Sequence, residues 1–223
     1  MRIRGAVSVV VGALLAVVAA AASALPVTEI GDAGQTIASA QVVAGSGPVD
    51  SISGTFTSAS DVDLFKIHIA TPGLFSATAS SVPALDGLLF LFDSAGKGVV
   101  SRDDSSTSNG DFGALTSTFV VLAGDYFLGI SLFDNIPSSA GGLIFPDTQL
   151  VDSGIEYGPS GPGGAQALST WSAGGGGLTG SAGSYTIALR GVSGVSGVPE
   201  PATLALFALG LGGLGFSRHR KSN

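Results

Sequence analysis

The sequence of 223 residues contains no cysteine. This absence excludes disulfide bonds, thiolate zinc sites, iron–sulfur clusters and cysteine nucleophiles. Outside the cell, the folded chain must therefore be stabilised by packing or by bound ions. Apolar residues make up 45% of the chain, too many for a disordered protein, and the length suits one folded domain with attached segments.

The chain also has few basic residues, with nine Lys and Arg against 16 Asp and Glu. The stretch from Leu25 to Gly197 holds only four of these bases and 15 of the acids, a net charge of −11. A field of this sign repels nucleic acid and anionic membranes. We therefore expect cations, neutral sugars or other proteins as partners, and no nucleic acid.

The N-terminus predicts an export signal. Arg2 and Arg4 precede an uncharged run over residues 5–22, which closes on Ala22-Ser23-Ala24. Small residues at Ala22 and Ala24 suit signal peptidase, so residues 1–24 are predicted to be removed and the mature chain to begin at Leu25. An uncleaved membrane anchor is the alternative.

The C-terminus holds a second apolar run, from Ala202 to Phe216. As a helix, this run reaches about 22 Å, short of the roughly 30 Å of a bilayer core, so flanking residues or local thinning must supply the rest. The basic residues that follow favour a cytoplasmic tail and an external domain. Sorting residues are expected on both sides of the helix: Pro199, Glu200, Pro201, Arg218, Arg220 and Lys221.

These three ordered parts, over residues 198–223, resemble a PEP-CTERM sorting signal. The resemblance implies a Gram-negative bacterium that makes exopolysaccharide, and a membrane-embedded exosortase that recognises the Pro-Glu-Pro motif and processes the tail. It also implies a cell-surface or matrix location after only transient membrane contact. An ordinary C-terminal anchor is the alternative.

Residues 48–190 contain about eight short segments bounded by Gly, Pro, Asp, Asn and Ser, without helical periodicity. Apolar residues alternate along 65–69 and 126–132, so one face of each strand is predicted to be buried and the other mostly exposed. This pattern predicts an all-β fold, an antiparallel sandwich of jelly-roll type. Its expected core includes Phe56, Phe65, Ile67, Phe90, Phe92, Val120, Tyr126, Leu128, Ile130 and Ile187.

Three segments depart from the strand pattern. Residues 25–47 are expected to be a lead-in segment with at most one short strand, and residues 191–197 a flexible linker. Residues 134–183 are expected to be a loop-rich insertion with a mobile glycine tip, and its apolar islands at 143–145 and 167–171 are predicted to dock on the sandwich.

The sandwich segments resemble bacterial pre-peptidase C-terminal (PPC) domains. The resemblance rests on ISGTFT (52–57), DVDLFKI (61–67), DGLLFLFDSAG (86–96), AGDYFLGI (123–130) and GSYTIALR (183–190). It implies a small secreted accessory or binding module without catalysis of its own.

Aspartates at predicted turns are candidate calcium ligands, because calcium takes six to eight oxygens from carboxylates and loop carbonyls. The best group is Asp86, Asp93, Asp103 and Asp104, which a hairpin between Leu88 and Ser101 is expected to bring together. The alternative is that each Asp bonds its own turn backbone.

A catalytic site is not expected. His68 is the only histidine outside the tail, its alternation places it on the exposed face, and the chain has no G-x-S-x-G motif. An unrecognised secreted hydrolase, or a purely structural envelope component, remains an alternative to a binding module.

Overall fold

The computed structural model describes residues 23–82, 85–103, 112–146, 154–171 and 182–197. Within these ranges the chain forms β-strands and two 3₁₀ turns, Pro72–Leu74 and Ser117–Phe119. The strands in chain order are β1 Leu25–Thr28, β2 Gln41–Val42, β3 Val49–Phe56, β4 Val62–Ile69, β5 Ser76–Val82, β6 Gly87–Asp93, β7 Gly98–Asp103, β8 Ala114–Leu115, β9 Gly124–Leu132, β10 Pro137–Ser139, β11 Gly142–Leu143, β12 Thr170–Trp171, β13 Gly183–Arg190 and β14 Val192–Ser193.

Two large sheets carry the fold, which confirms the predicted all-β class. The first sheet has the order β1-β3-β13-β5-β8, and the second has the order β14-β4-β9-β6-β7, with β2 also paired to β4. A small third sheet, β11-β10-β12, lies within the insertion. The long central strands pair antiparallel, such as β4 with β9 from Val62 opposite Ser131 to Ile69 opposite Gly124.

The lead-in segment makes the architecture mixed rather than wholly antiparallel. Its strand β1 pairs parallel to β3, and its strand β2 pairs parallel to β4. The segment thus adds one strand to each large sheet, where the sequence predicted at most one in total. Strands of four and two residues are too short to show alternation, which is why the sequence did not reveal them.

The space between the two large sheets holds the main core. Its largest fully buried side chains include Phe56, Phe65, Ile52, Ile67 and Tyr185. All ten core residues predicted from the sequence are buried. Two of them, Phe90 and Phe92, lie in a second cluster and not between the sheets.

The second cluster covers the outer face of the second sheet, and it corrects the expectation that this face is mostly exposed. Strands of the sheet contribute Leu64, Leu88, Phe90, Phe92 and Phe127. The insertion packs on them with Ile144, Phe145, Leu168 and Trp171, and the lead-in segment adds Ile37 and Ala40. Both apolar islands of the insertion therefore dock where the sequence predicted that they would.

Gly129 of β9 gives this packing room. A Cβ atom there would lie 3.1 Å from Leu64 Cδ2 and 3.5 Å from the Trp171 ring, tighter than comfortable packing on the Leu64 side. The Trp171 ring meets Phe90 edge-on with centroids 5.3 Å apart, a favoured aromatic geometry.

The linker predicted at 191–197 is largely part of the sandwich, which corrects that boundary. Val192 and Ser193 form β14 against β4, and Val195 bridges Ala44. Val192 and Val195 are both buried. Gly/Ser-rich composition predicts flexibility, but the two valines supply apolar area that binds this segment to the sheet edge.

Candidate functional site

Three acidic side chains meet at one end of the sandwich, where the chain passes from β3 into β4. Asp61 directly precedes β4, Asp63 is the second residue of that strand, and Asp32 comes from the lead-in segment. One carboxylate oxygen of each lies within 4.8 Å of the others. We call Asp32, Asp61 and Asp63 the acidic cluster.

Asp63 is the most deeply buried member of the acidic cluster, with no solvent-exposed surface. Two-residue periodicity places it on the same face of β4 as Phe65 and Ile67, so its carboxyl points between the sheets. The Tyr185 hydroxyl donates a hydrogen bond to Asp63 Oδ2 at 2.7 Å, whereas Asp63 Oδ1 has no hydrogen-bond partner. Buried polar atoms nearly always have a partner, so this oxygen needs an explanation.

Asp61 and Asp32 each have one oxygen held by nearby backbone. The Thr57 N–H and hydroxyl donate to Asp61 Oδ2 at 2.6 and 2.7 Å, and Asp61 is only 6% exposed. The Gly34 N–H donates to Asp32 Oδ1 at 2.7 Å, and Asp32 lies at the surface. These bonds orient the two carboxylates and leave the second oxygen of each for another ligand.

Glu29 fixes the turn that carries Asp32. The Ala33 N–H donates to Glu29 Oε1 at 3.1 Å, and the Thr55 N–H donates to Oε2 at 2.8 Å. A Cβ atom at Gly54 would collide with the Tyr185 hydroxyl and with Glu29 Oε2. Glycine at this position of β3 therefore permits the close approach of Glu29, Tyr185 and the acidic cluster.

At this end of the sandwich, burial and neighbouring charges disfavour the ionised form of Asp63. Burial raises the pKa of Asp63 to about 8, and the charges of Glu29 and Asp61 act in the same direction, while the hydrogen bond from Tyr185 opposes them. Burial also raises the pKa of Tyr185, and the charge of Asp63 adds to that effect. The arrangement is suited to a bound cation, which would offset the repulsion among the carboxylates.

A cavity of about 350 Å³ adjoins this region. It shares Glu29, Gly54 and Tyr185 with the surroundings of the acidic cluster, and most of its other lining side chains carry hydroxyls: Thr28, Ser53, Thr55, Thr57, Ser184 and Thr186. The hydroxyls can donate and accept hydrogen bonds and the carboxylate of Glu29 can accept them, so the lining is polar.

The calcium ligands predicted from the sequence do not form one group. The β6–β7 pairing places Leu88 opposite Asp103 and Phe92 opposite Gly98, so Asp86 and Asp103 lie at the open end of the hairpin and Asp93 at its turn. The seven residues of β6 span about 23 Å, which separates Asp93 from the other two. Asp104 lies outside the described residues.

Asp93 instead closes its own turn. Its Oδ1 accepts hydrogen bonds from the N–H groups of Ala95 and Lys97, each at 2.9 Å. This is the alternative that the sequence left open, in which Asp initiates a turn by bonding its own backbone. The sequence-based argument failed because a hairpin joins the end of one strand to the start of the next, and not the two ends of the same strand.

His68 lies on the outer face of the second sheet, and 36% of its side chain is exposed. His68 Nδ1 is 2.8 Å from Asp125 Oδ1, and Lys66 Nζ is 3.1 Å from Asp125 Oδ2. Ser193 is the cross-strand neighbour of His68, so a serine, a histidine and an aspartate lie side by side. However, the Ser193 hydroxyl donates to the Gly194 carbonyl at 3.2 Å, so the geometry of an activated nucleophile is not formed.

The predicted processing sites lie at the ends of the described chain. Leu25 is the first residue of β1 and is 60% exposed, and Ala24 before it is also exposed, while Ala22 lies outside the described residues. Pro199, Glu200, Pro201, Arg218, Arg220 and Lys221 lie outside them as well. Over the part of the chain that is described, no helix has the length and apolarity needed to cross a membrane.

Comparison with known proteins bears on the tail alone. No curated protein matches the chain, and the resemblance of the sandwich to PPC domains stays a prediction. A family model of the PEP-CTERM protein-sorting motif matches residues 197–221, in agreement with the segment predicted at 198–223. The chain therefore carries a PEP-CTERM sorting motif, which marks it as an exported bacterial protein that is targeted to an exosortase.

Proposed function

We propose that the mature chain is a non-catalytic β-sandwich module at the cell surface or in the extracellular matrix of a Gram-negative bacterium. The observation that carries this proposal is the sorting motif at 197–221, which directly follows the folded sandwich. Signal peptidase removes residues 1–24, and the exosortase then processes the tail. The displayed sandwich binds exopolysaccharide or other surface proteins.

The outer face of the first sheet is the surface that supports a binding role. Most of its exposed side chains are small and polar, including Thr78, Ser80, Ser184 and Thr186, and Val82, Ala188 and Arg190 are exposed beside them. Neutral polyhydroxyl ligands exchange hydrogen bonds readily with such a surface, whereas the net charge of −11 between Leu25 and Gly197 opposes anionic ones. A purely structural envelope component is the alternative, and it requires no ligand.

Processing is tested by intact-mass spectrometry of the protein made in its native host. We expect a secreted chain that begins at Leu25 and lacks the segment after the Pro-Glu-Pro motif. The matched control is a strain without exosortase, in which the chain should stay in the membrane fraction with its tail. A secreted chain that retains Met1 or Asn223 would contradict the proposal.

The binding role is tested on a glycan array with the same mature protein. Binding to neutral polysaccharides that is weakened by Thr186→Arg supports a module, because a bulky cation on the outer face of the first sheet obstructs that face. No binding to any glycan or surface protein would favour the structural alternative. Turnover of ester or peptide substrates that is lost in His68→Ala would instead establish a hydrolase.

A further inference from the structure

We infer that the acidic cluster is a calcium site and that the bound ion clamps the lead-in segment to the sandwich. This inference goes beyond the proposed function, because the fate of the tail and the ligand of the sandwich do not depend on it. The ligands are one carboxylate oxygen each from Asp32, Asp61 and Asp63. Waters complete the coordination shell on the side where Asp32 reaches the surface.

The spacing of the three oxygens fits a single ion. Calcium binds oxygens at 2.3–2.6 Å, so two ligands of one ion lie at most about 5 Å apart. The oxygens of the acidic cluster fall within 4.8 Å of one another. The carboxylates are thus already placed as ligands of one calcium ion, without rearrangement of the backbone.

Asp63 Oδ1 is the independent observation that calls for a ligand. This atom is fully buried and has no hydrogen-bond partner, and it belongs to the carboxyl group that lies within reach of Asp32 and Asp61. Leaving a buried carboxylate oxygen without a partner is costly, and nearby carboxylates add repulsion. A cation among the three carboxylates supplies the partner and neutralises the repulsion at the same time.

The donor set selects the class of metal. All three donors are carboxylate oxygens, which suit calcium or magnesium rather than zinc or copper. Magnesium demands shorter bonds and near-ideal octahedral geometry and releases its waters reluctantly, so a site built from three protein carboxylates favours calcium. Exported modules meet calcium at millimolar concentration, where even a site with a Kd of about 10⁻⁴–10⁻³ M is occupied.

The origin of the ligands gives the ion a structural role. Asp32 belongs to the lead-in segment, whereas Asp61 and Asp63 belong to the start of β4. The lead-in segment reaches both sheets, through β1 on the first and β2 on the second. An ion bound between Asp32 and Asp63 therefore ties the connection between β1 and β2 to the body of the sandwich.

Terbium is the direct probe of the site, because this ion takes the oxygen ligands that calcium prefers and its emission is sensitised by a nearby aromatic ring. The Tyr185 hydroxyl is bonded to Asp63, so the ring lies beside the ligands. With the mature protein from the native host, we expect tyrosine-sensitised emission that calcium displaces. Asp63→Asn should abolish it while keeping the size of the side chain, and Asp93→Asn, the matched control at a turn, should leave it unchanged.

A second measurement keeps the test decisive if Asp63→Asn fails to fold. Asp32 is exposed, so Asp32→Asn removes one ligand without touching the core, and we expect calcium affinity to fall at least about tenfold. Hydrogen exchange measures whether the ion holds the lead-in segment in place. Calcium should slow exchange over residues 29–41 in the unsubstituted protein and much less in Asp32→Asn.

The opposite results overturn the inference. Equal responses to calcium and magnesium that persist in Asp63→Asn or Asp32→Asn would show general screening of an acidic surface. Terbium emission that Asp93→Asn removes and Asp32→Asn leaves intact would place the ion at the hairpin instead. Calcium binding without slower exchange over residues 29–41 would contradict the inference that the ion clamps the lead-in segment.

Discussion

The two large sheets bury their inner faces against each other, but their outer faces differ. The outer face of the second sheet is covered by the aromatic cluster around Phe90, Phe92 and Trp171. On the first sheet, the outer face carries exposed small polar residues such as Thr78 and Thr186. The sandwich therefore uses one outer face for stability, whereas the described strands of the other sheet leave theirs exposed.

The difference can be traced to the strands themselves. Strand β6 reads GLLFLFD, a continuous apolar run typical of a strand that is buried on both faces. Strand β13 reads GSYTIALR, in which Tyr185, Ile187 and Leu189 are buried and the intervening residues are exposed. A continuous run needs a cover on its second face, and in this chain the insertion provides it.

The largest expected effect comes from opening the covered face. Phe90→Ala should lower the free energy of unfolding by about 3–5 kcal/mol, because it removes a fully buried ring that contacts both Phe145 and Trp171. Thr186→Ala on the outer face of the first sheet should change it by no more than about 0.5 kcal/mol. Urea denaturation measures both, and similar values for the two variants would contradict the comparison.

A smaller effect is expected where the first sheet meets the acidic cluster. Gly54→Ala places a methyl group against the Tyr185 hydroxyl and Glu29, and we expect it to cost about 1–3 kcal/mol of unfolding free energy. Gly73→Ala is the matched control, because a Cβ atom at that position meets nothing within 4 Å. Thermal unfolding with and without calcium measures the change, and equal melting temperatures for the two variants would argue against close packing at Gly54.

The hydrogen bond between Trp171, on the covered face, and the lead-in segment should contribute about 1 kcal/mol to the free energy of unfolding. The Trp171 indole N–H donates to the Gln35 carbonyl at 2.8 Å, so it joins the insertion to residues outside it. Trp171→Phe keeps an aromatic ring against Phe90 and removes that hydrogen bond. Urea denaturation should show the loss, and hydrogen exchange should quicken near residue 35; an unchanged exchange rate there would mean that the bond does not hold the segment.

The smallest effect is expected at the partly exposed ion pairs that Asp125 forms with Lys66 and His68 on the second sheet. The hydrogen bond with His68 lowers the pKa of Asp125, with a further contribution from Lys66. A lowered pKa in the folded state adds stability that is present above the ordinary pKa of about 4 and is lost as the pH falls through the folded value. These side chains are partly exposed, so solvent screening limits the contribution to at most about 1 kcal/mol.

Urea denaturation of Asp125→Asn across a pH series tests this contribution. The variant should be less stable than the unsubstituted protein at pH 7, and the difference should shrink below about pH 4, where the carboxylate becomes protonated. The expected loss at pH 7 remains at most about 1 kcal/mol. A difference that grows as the pH falls would mean that Asp125 is not a stabilising anion.

Sequence patterns predicted the central strands and the buried residues well, because alternation and turn residues act locally. Asp63 also left a signal, since it stands in phase with Phe65 and Ile67, and an acid on a buried face indicates a special site. Its meeting with Asp32 could not be predicted, because a contact between distant segments leaves no periodic pattern in one sequence. The parallel strands of the lead-in segment were hidden for a similar reason: β2 has only two residues.

Because Val195 is bridged to Ala44, the Pro-Glu-Pro motif that begins at Pro199 must lie close to the folded sandwich. Only three residues lie between Val195 and Pro199, and even a fully extended chain over these four peptide steps spans no more than about 14 Å. In the proposed route, the exosortase must therefore recognise the Pro-Glu-Pro motif within about 14 Å of the folded sandwich. If the tail is processed as proposed, the enzyme's access to the motif matters as much as its recognition.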